Sequence, residues 1–326
     1  MVLARPKKHL WKIGGGLGAI ALLIYGITCL FIATKQQNWI FNPKQEMLMT
    51  PDQPPVNLDY QTVTIPVHSG AGPKGDSGLS DGNGPNTEVL NGWWIPARSE
   101  ERSPILPNEP QNLDTPINVI LYLGGRGGNR SYHLPRIEGF HQLGFNVLMA
   151  DYRGYGDSPA GPLGPPSEAS VYEDAAAAWR YLTEVRQIPP EQILIYGESL
   201  GGAIALELAL NHADAGALIM QSTFTSMTDM AQRVTFLRFF PVQTLITEHF
   251  DSITKIKSLQ VPVLFLHGTN DDIVPYEMSQ TLHAAAPTPK DLFLIPDGSH
   301  FQIYKPGELS YLKAMERFLL QIKRPS

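Results

Sequence analysis

From Asn118 onward the sequence repeats one pattern: a short apolar run, a break rich in glycine or proline, and a stretch of helical periodicity. The runs are Asn118–Leu123, Phe145–Ala150, Gln192–Tyr196, Ala217–Gln221, Val261–Leu266 and Asp291–Ile295. Helical patterns at Ser167–Val185, Leu200–Leu210, Tyr276–Ala285 and Glu308–Ile322 fall between and after them, and another helix-capable stretch ends at Leu143. Successive side chains of a strand point to opposite faces, so a half-exposed strand alternates apolar with polar residues. Val261-Pro262-Val263-Leu264-Phe265-Leu266 does not alternate, and both its faces must therefore be covered. Such strands, separated by helices, specify an α/β chain with a mostly parallel, doubly wound sheet.

Two further strands are expected upstream, at Gln61–Val67 and Gly92–Pro96. The stretches 69–90 and 99–116 are dominated by Gly, Ser, Pro, Asp and Asn and read as tolerated surface insertions. There are no internal repeats, so residues 57–326 form one domain.

The N-terminus divides into a basic tail, 1–12, an uncharged apolar run, 13–34, and a polar, proline-containing linker, 35–56. A helix of roughly 20 residues rises about 30 Å and matches the hydrocarbon core of a bilayer. The run therefore reads as one transmembrane helix. A cleaved signal peptide would have a shorter apolar region and a small-x-small site, and Thr28 suits a lipobox ending at Cys29 poorly. Arg5, Lys7, Lys8 and Lys12 precede the run, whereas only Lys35 and Lys44 follow it closely. This asymmetry puts the N-terminus in the cytoplasm and the domain outside it. Cys29 is the only cysteine, which excludes disulfides and thiolate metal sites from the domain. The net charge of −6 gives no reason to expect nucleic acid as a partner. Oligomeric state is not encoded in any pattern.

Gly197-Glu198-Ser199-Leu200-Gly201 is a G-x-S-x-G sequence. Three fixed residues arise easily by chance; the setting gives them weight. A strand leads directly in, and a helix of small residues, Gly201-Gly202-Ala203-Ile204-Ala205, leads directly out. So tight a turn crowds the backbone, requires flanking glycines, and presents Ser199 at the sheet edge over a helix N-terminus. The competing reading is a helix-capping serine beside packing glycines. A nucleophilic serine also needs a base and a group to orient that base, and after such a turn the acid precedes the histidine. Of the histidines beyond Ser199, His283 lies within a helix and His267 precedes the carboxylates. His300 sits in a loop after the last strand, which suits a proton-transferring imidazole. The acid is Asp271, which spacing favours over Asp272; Asp297 fits a turn better.

An acyl-transfer intermediate carries an oxyanion that needs backbone N–H donors. Leu200 supplies one, and Arg126, in the loop Gly124-Gly125-Arg126-Gly127-Gly128-Asn129, supplies the other. A phosphate-cradling role for this loop would require a following Gly-Lys-Ser/Thr, which is missing. The Arg126 guanidinium either meets an acidic substrate or is simply solvated. Residues 222–256 form a helical cap rich in Phe and Met. Phe224, Met227 and Met230 are candidates for an acyl pocket, although a packed helix pair would read the same way.

These motifs together make the chain resemble the membrane-anchored α/β-hydrolase-domain proteins that also match serine-aminopeptidase-like profiles. The resemblance runs from Trp39 to Phe318. It rests on the Ser199 turn, Asp151-Tyr152-Arg153-Gly154-Tyr155-Gly156, Phe250-Asp251-Ser252, His267-Gly268-Thr269-Asn270-Asp271 with Val274-Pro275, and Gly298-Ser299-His300. It implies the α/β-hydrolase fold and, since relatives include acyl-protein thioesterases, cleavage of an ester or thioester. The family's oxyanion loop usually reads His-Gly-Asn-Ala-Gly-Asn, so this chain departs at its first, third and fourth positions. The expected protein is a serine hydrolase acting on a small-molecule or acyl substrate, with no metal or organic cofactor implied. The alternatives are a lipid esterase, acyl-protein thioesterase or peptidase, and a non-catalytic binding protein.

Overall fold

The computed structural model describes residues 7–67, 88–97, 117–161, 164–287, 289–301 and 310–322. Its strands are β1 (Gln61–Val67), β2 (Glu88–Ile95), β3 (Val119–Leu123), β4 (Asn146–Ala150), β5 (Ile193–Glu198), β6 (Ala217–Gln221), β7 (Val263–Gly268) and β8 (Lys290–Ile295). The helices are α1 (Lys7–Ile40), α2 (Leu134–Gln142), α3 (Glu168–Arg180), α4 (Leu200–Asn211), α5 (Met227–Arg233), α6 (Val242–Leu245), α7 (Ser252–Lys255), α8 (Tyr276–Ala285) and α9 (Ser310–Ile322).

The strands form one 8-stranded sheet in the order β1-β2-β4-β3-β5-β6-β7-β8. The pairs β1–β2 and β2–β4 are antiparallel and the rest are parallel, so the sheet is mostly parallel, as the apolar runs require. Along β3, Val119, Leu121 and Leu123 pack into one apolar cluster with α3, α4 and α8 residues, while Ile120 and Tyr122 face a second with α2 and α9. Both faces of the strand are covered, which is why its sequence does not alternate.

Two elements extend well beyond the sequence expectation. β2 opens at Glu88, inside the 69–90 insertion, because its edge pairs with β1 from Val67↔Glu88 onward. The remaining residues of the two insertions lie outside the described residues. The N-terminal helix does not stop at Thr34 but continues to Ile40, so residues 35–40 of the expected linker are helical. Tertiary contacts hold that extension. The Gln36 side chain donates to Leu245 O (3.1 Å) and accepts from Thr247 N (2.8 Å), and Ile32 and Ile40 are buried. Gly18–Ile40 is long and apolar enough to cross a membrane.

Candidate active site

β5 passes into α4 through Ser199, which lies at φ 54° and ψ −118°. An L-residue is strained there, and surrounding bonds must hold it. Ser199 N donates to Gln221 O (2.8 Å), and Ser199 O accepts from Gly202 N (3.0 Å) and Thr223 Oγ1 (2.8 Å). The flanking glycines are required by space. A Cβ on Gly197 would stand 2.6 Å from Ala205 Cβ, and one on Gly202 would stand 2.6 Å from Thr223 Cβ.

Ser199 Oγ lies 3.1 Å from His300 Nε2, and His300 Nδ1 lies 2.7 Å from Asp271 Oδ2. A carboxylate only accepts, so Nδ1 carries the proton and Nε2 is left to accept from the serine hydroxyl. Residues far apart in sequence thus meet at the C-terminal edges of β5, β7 and β8. Asp272 is exposed, and Asp297 takes a turn conformation at φ 58°.

Asp271 is fixed on every side. Its Oδ1 accepts from Ile273 N (2.9 Å) and Val274 N (2.8 Å), and its Oδ2 also meets His267 Nε2 (3.1 Å). His267 is fully buried. Its Nε2 also faces Val274 O (2.9 Å) and its Nδ1 faces Ser279 Oγ (2.7 Å), so Nε2 donates and Nδ1 accepts. Burial would push the Asp271 carboxyl up, but the hydrogen bonds from His267 and His300 and the Val274 N–H outweigh it. The carboxyl is held well below the usual carboxylate range. His267 is a positioning residue that chain order alone had set aside; its place in His267-Gly268-Thr269-Asn270-Asp271 was the available signal.

The glycine loop after β3 reaches the serine through Gly125, where a Cβ would stand 3.3 Å from Ser199 Cβ. Leu200 is the first residue of α4, so its N–H has no intrahelical acceptor. Arg126 follows Gly125, and its side chain is exposed. The loop is held by the segment following α1. Pro43 bridges Gly128, Lys44 N donates to Gly128 O (3.4 Å), and buried Asn129 donates to Lys44 O (3.1 Å) and Glu46 O (2.7 Å). The Tyr155 hydroxyl joins Phe41 O (2.5 Å) to Arg126 O (2.9 Å). It has one proton for two carbonyls, so the two share it. Residues 41–46 therefore brace the loop; read alone, they were an unremarkable linker. Tyr155→Phe, which removes that tie, is expected to lower kcat by up to about tenfold with KM little changed, the scale of one buried hydrogen bond. Steady-state kinetics on a short ester checks this, and an unchanged kcat would sink the bracing role.

A charged cluster underlies the Ser199 turn. The buried Glu198 carboxylate pairs with Arg136 and accepts from the Tyr122 hydroxyl (2.6 Å), with His133 Nδ1 at 3.3 Å. Burial pushes Glu198 up, but Arg136, His133 and Tyr122 outweigh burial and hold it well below its ordinary value. Asp151-Tyr152-Arg153-Gly154-Tyr155-Gly156 is a structural staple. Arg153 pairs with Glu88, Glu173 (2.8 Å) and Asp174 (2.6 Å), and Arg130 pairs with Asp151 and Asp157 (2.7 Å). Burial raises Asp151 to about 6, against the pull of Arg130.

Of the pocket candidates, Phe224 is buried, and Met227 and Met230 are half-buried on α5 against the main core. Met227 also packs against the cluster of Ile32, Leu237, Val242 and Ile246.

The sequence profile of the α/β hydrolase fold matches residues 118–245. An uncharacterised protein of Mycobacterium tuberculosis is 34% identical over 232 residues, 71% of this chain and 75% of that one. The α/β-hydrolase domain-containing protein WAV2 of Arabidopsis thaliana is 32% identical over 246 residues, 71% of this chain and 74% of its own. The chain belongs to the α/β-hydrolase family. Its fold is shared with the Pyrococcus furiosus esterase Pf2001, at a TM-score of 0.62 and 16% identity, covering 86% of this chain and 98% of that one. An esterase domain from a Rhodothermus marinus protein superposes with a TM-score of 0.52 at 17% identity, covering 80% of this chain and all of that one.

Proposed function

We propose that this protein is a serine hydrolase that cleaves a carboxylic ester or thioester at a membrane surface. The observation that carries the reading is the line from Ser199 Oγ through His300 to Asp271, at 3.1 and 2.7 Å, with Ser199 on a strained strand-to-helix turn. Ser199 Oγ attacks the acyl carbonyl while His300 Nε2 takes its proton. The N–H groups of Leu200 and Arg126 receive the oxyanion, and His300 returns the proton to the leaving group. Water then enters by the same route in reverse roles and frees the acid. Asp271 keeps the imidazole in the required tautomer and stabilises its cation. The esterase names of two fold neighbours support ester cleavage. The length and apolarity of α1 support a single membrane span, and the basic residues before it support an N-terminus in the cytoplasm with the domain outside.

The apolar cap packed on α1 favours a lipid or acyl-protein substrate over a small ester. Fluorophosphonate labelling of the full chain in detergent tests the nucleophile, and an ester series of increasing acyl length tests the substrate class. Labelling in the native chain and none in Ser199→Ala is the expected result. A folded chain that does not label would leave a binding protein as the better account. A preference for acetyl over long acyl groups would remove the lipid reading alone.

A further inference from the structure

The cap and the N-terminal helix form one apolar unit. Ile32 packs against Leu237, Val242 and Ile246, which together make a small cluster separate from the cores on the two sheet faces. Seven residues further toward the N-terminus, the Tyr25 ring stacks on Phe240 at 5.0 Å, and its hydroxyl donates to Phe239 O (3.4 Å). The cap therefore reaches the level of Tyr25 and does not stop where α1 meets the domain. Phe236 and Phe239 stand out from this unit, 53% and 69% exposed, and on α1 Leu22, Leu23 and Ile27 are equally bare.

Depth follows from helix geometry. The basic run ends at Lys12, and a 30 Å hydrocarbon core takes about 20 residues, which brings the far boundary to the neighbourhood of Ile32. Ile32 is also where burial against the cap begins. Tyr25 then lies about 10 Å inside that boundary, at 1.5 Å per residue. Whatever packs beside it lies at a similar depth, which is that of an interfacial element.

We propose that residues 234–240 of the cap are immersed in the interfacial layer of the bilayer that α1 crosses. The inference rests on the membrane reading of α1 and adds the cap to it. The occupant of this surface is lipid. Phe236 and Phe239 enter the acyl boundary, and the exposed Arg233 and Arg238 lie within reach of anionic headgroups. The Arg238 guanidinium already lies over the Phe239 ring at 5.4 Å, an arrangement that joins a cation to an apolar face. The cap leaves the sheet at the C-terminal end of β6, the edge that carries Ser199. Its immersion holds that edge against the membrane, and an acyl chain would reach the serine from the lipid.

Nitroxide labels on the full chain in phosphatidylcholine–phosphatidylglycerol vesicles test this. In a Cys29→Ser background, single cysteines replace Phe239, Leu23 and Asn211, the last at the end of α4. Relaxation by oxygen, which concentrates in lipid, is compared with relaxation by a water-soluble nickel chelate. Labels at 239 and 23 are expected to be relaxed several-fold more by oxygen, and the label at 211 more by nickel. A lipid-exposed 23 with an aqueous 239 would overturn cap immersion and leave the anchor standing. An aqueous 23 would overturn both. Phe239 is a surface residue, so its replacement leaves the packed Phe240 contact in place.

Discussion

Ser199→Ala is expected to lower kcat on an activated ester by about 10⁶-fold, the scale on which serine hydrolases lose turnover with their nucleophile. The change removes one oxygen from a side chain whose backbone is held independently by Gln221 O, Gly202 N and the Thr223 hydroxyl. Thermal unfolding should therefore be nearly unchanged. Ser199→Gly separates chemistry from strain. Glycine adopts φ 54°, ψ −118° freely, so this variant should be as inactive as Ser199→Ala but more stable than the native chain by about 1–3 kcal/mol. Calorimetry beside the rate measurement checks both. Turnover surviving in either variant, after removal of contaminating esterase, would end the assignment of Ser199. A melting temperature for Ser199→Gly below the native value would show that the turn is not strained as its dihedrals indicate.

The second large effect concerns stability. Arg136→Leu leaves the Glu198 carboxylate buried without its cation, and the loss of one partner from such a pair costs about 3–5 kcal/mol. For a domain of this size that corresponds to a fall in melting temperature of roughly 10 °C. The pH dependence should also reverse. In the native chain Glu198 is held below its unfolded value, so its contribution is fully present above about pH 4.5 and is lost as pH falls through the depressed folded value. Without Arg136, burial dominates and the folded carboxyl rises above its unfolded value. The variant should then lose stability as pH rises through that raised value, and regain it on acidification toward pH 5. Adding Glu198→Gln to Arg136→Leu removes the buried charge and should restore most of the loss. Denaturant titrations at several pH values would decide. Equal destabilisation at every pH would mean the cluster is held by packing, not charge.

Local features made much of this molecule legible in one dimension. The Ser199 turn could be found because a strand, a tight turn and a helix are contiguous, and the glycines that relieve crowding at the turn lie beside it. Asp271 and His300 could be chosen because each lies in the loop just past a strand end, which places it at a defined sheet edge. β2 was the least legible strand. Glu88–Leu90 is polar at its start and continues a Gly/Ser-rich stretch, and only pairing with β1 makes it extended.

The residues that support the site were hidden for a different reason. His267 was passed over because chain order says nothing about a second imidazole on the same carboxylate. Glu198, Arg136 and Tyr122 are scattered over three elements, and no spacing foretells a buried charge cluster. Residues 41–46 look like a polar connector, yet their carbonyls and amides brace the glycine loop through Asn129, Tyr155 and Gly128. The same holds for the end of α1. Its apolar composition was plain, but its extension to Ile40 depends on Gln36 bonding to backbone near residue 247.

By itself, then, the sequence determined the sheet type, the tight strand-to-helix turn at Ser199 and the apolar helix, because each is written in neighbouring residues through a backbone period or a steric need. Only the tertiary structure decided which groups hold Asp271, what lies beneath Ser199, and how the helix and its connector reach the cap and the glycine loop. Arg136 lies 62 positions from the Glu198 it meets, and contacts of the helix and its connector span 83 to 209 positions. Nothing local in a chain records which distant partner a buried polar group will find.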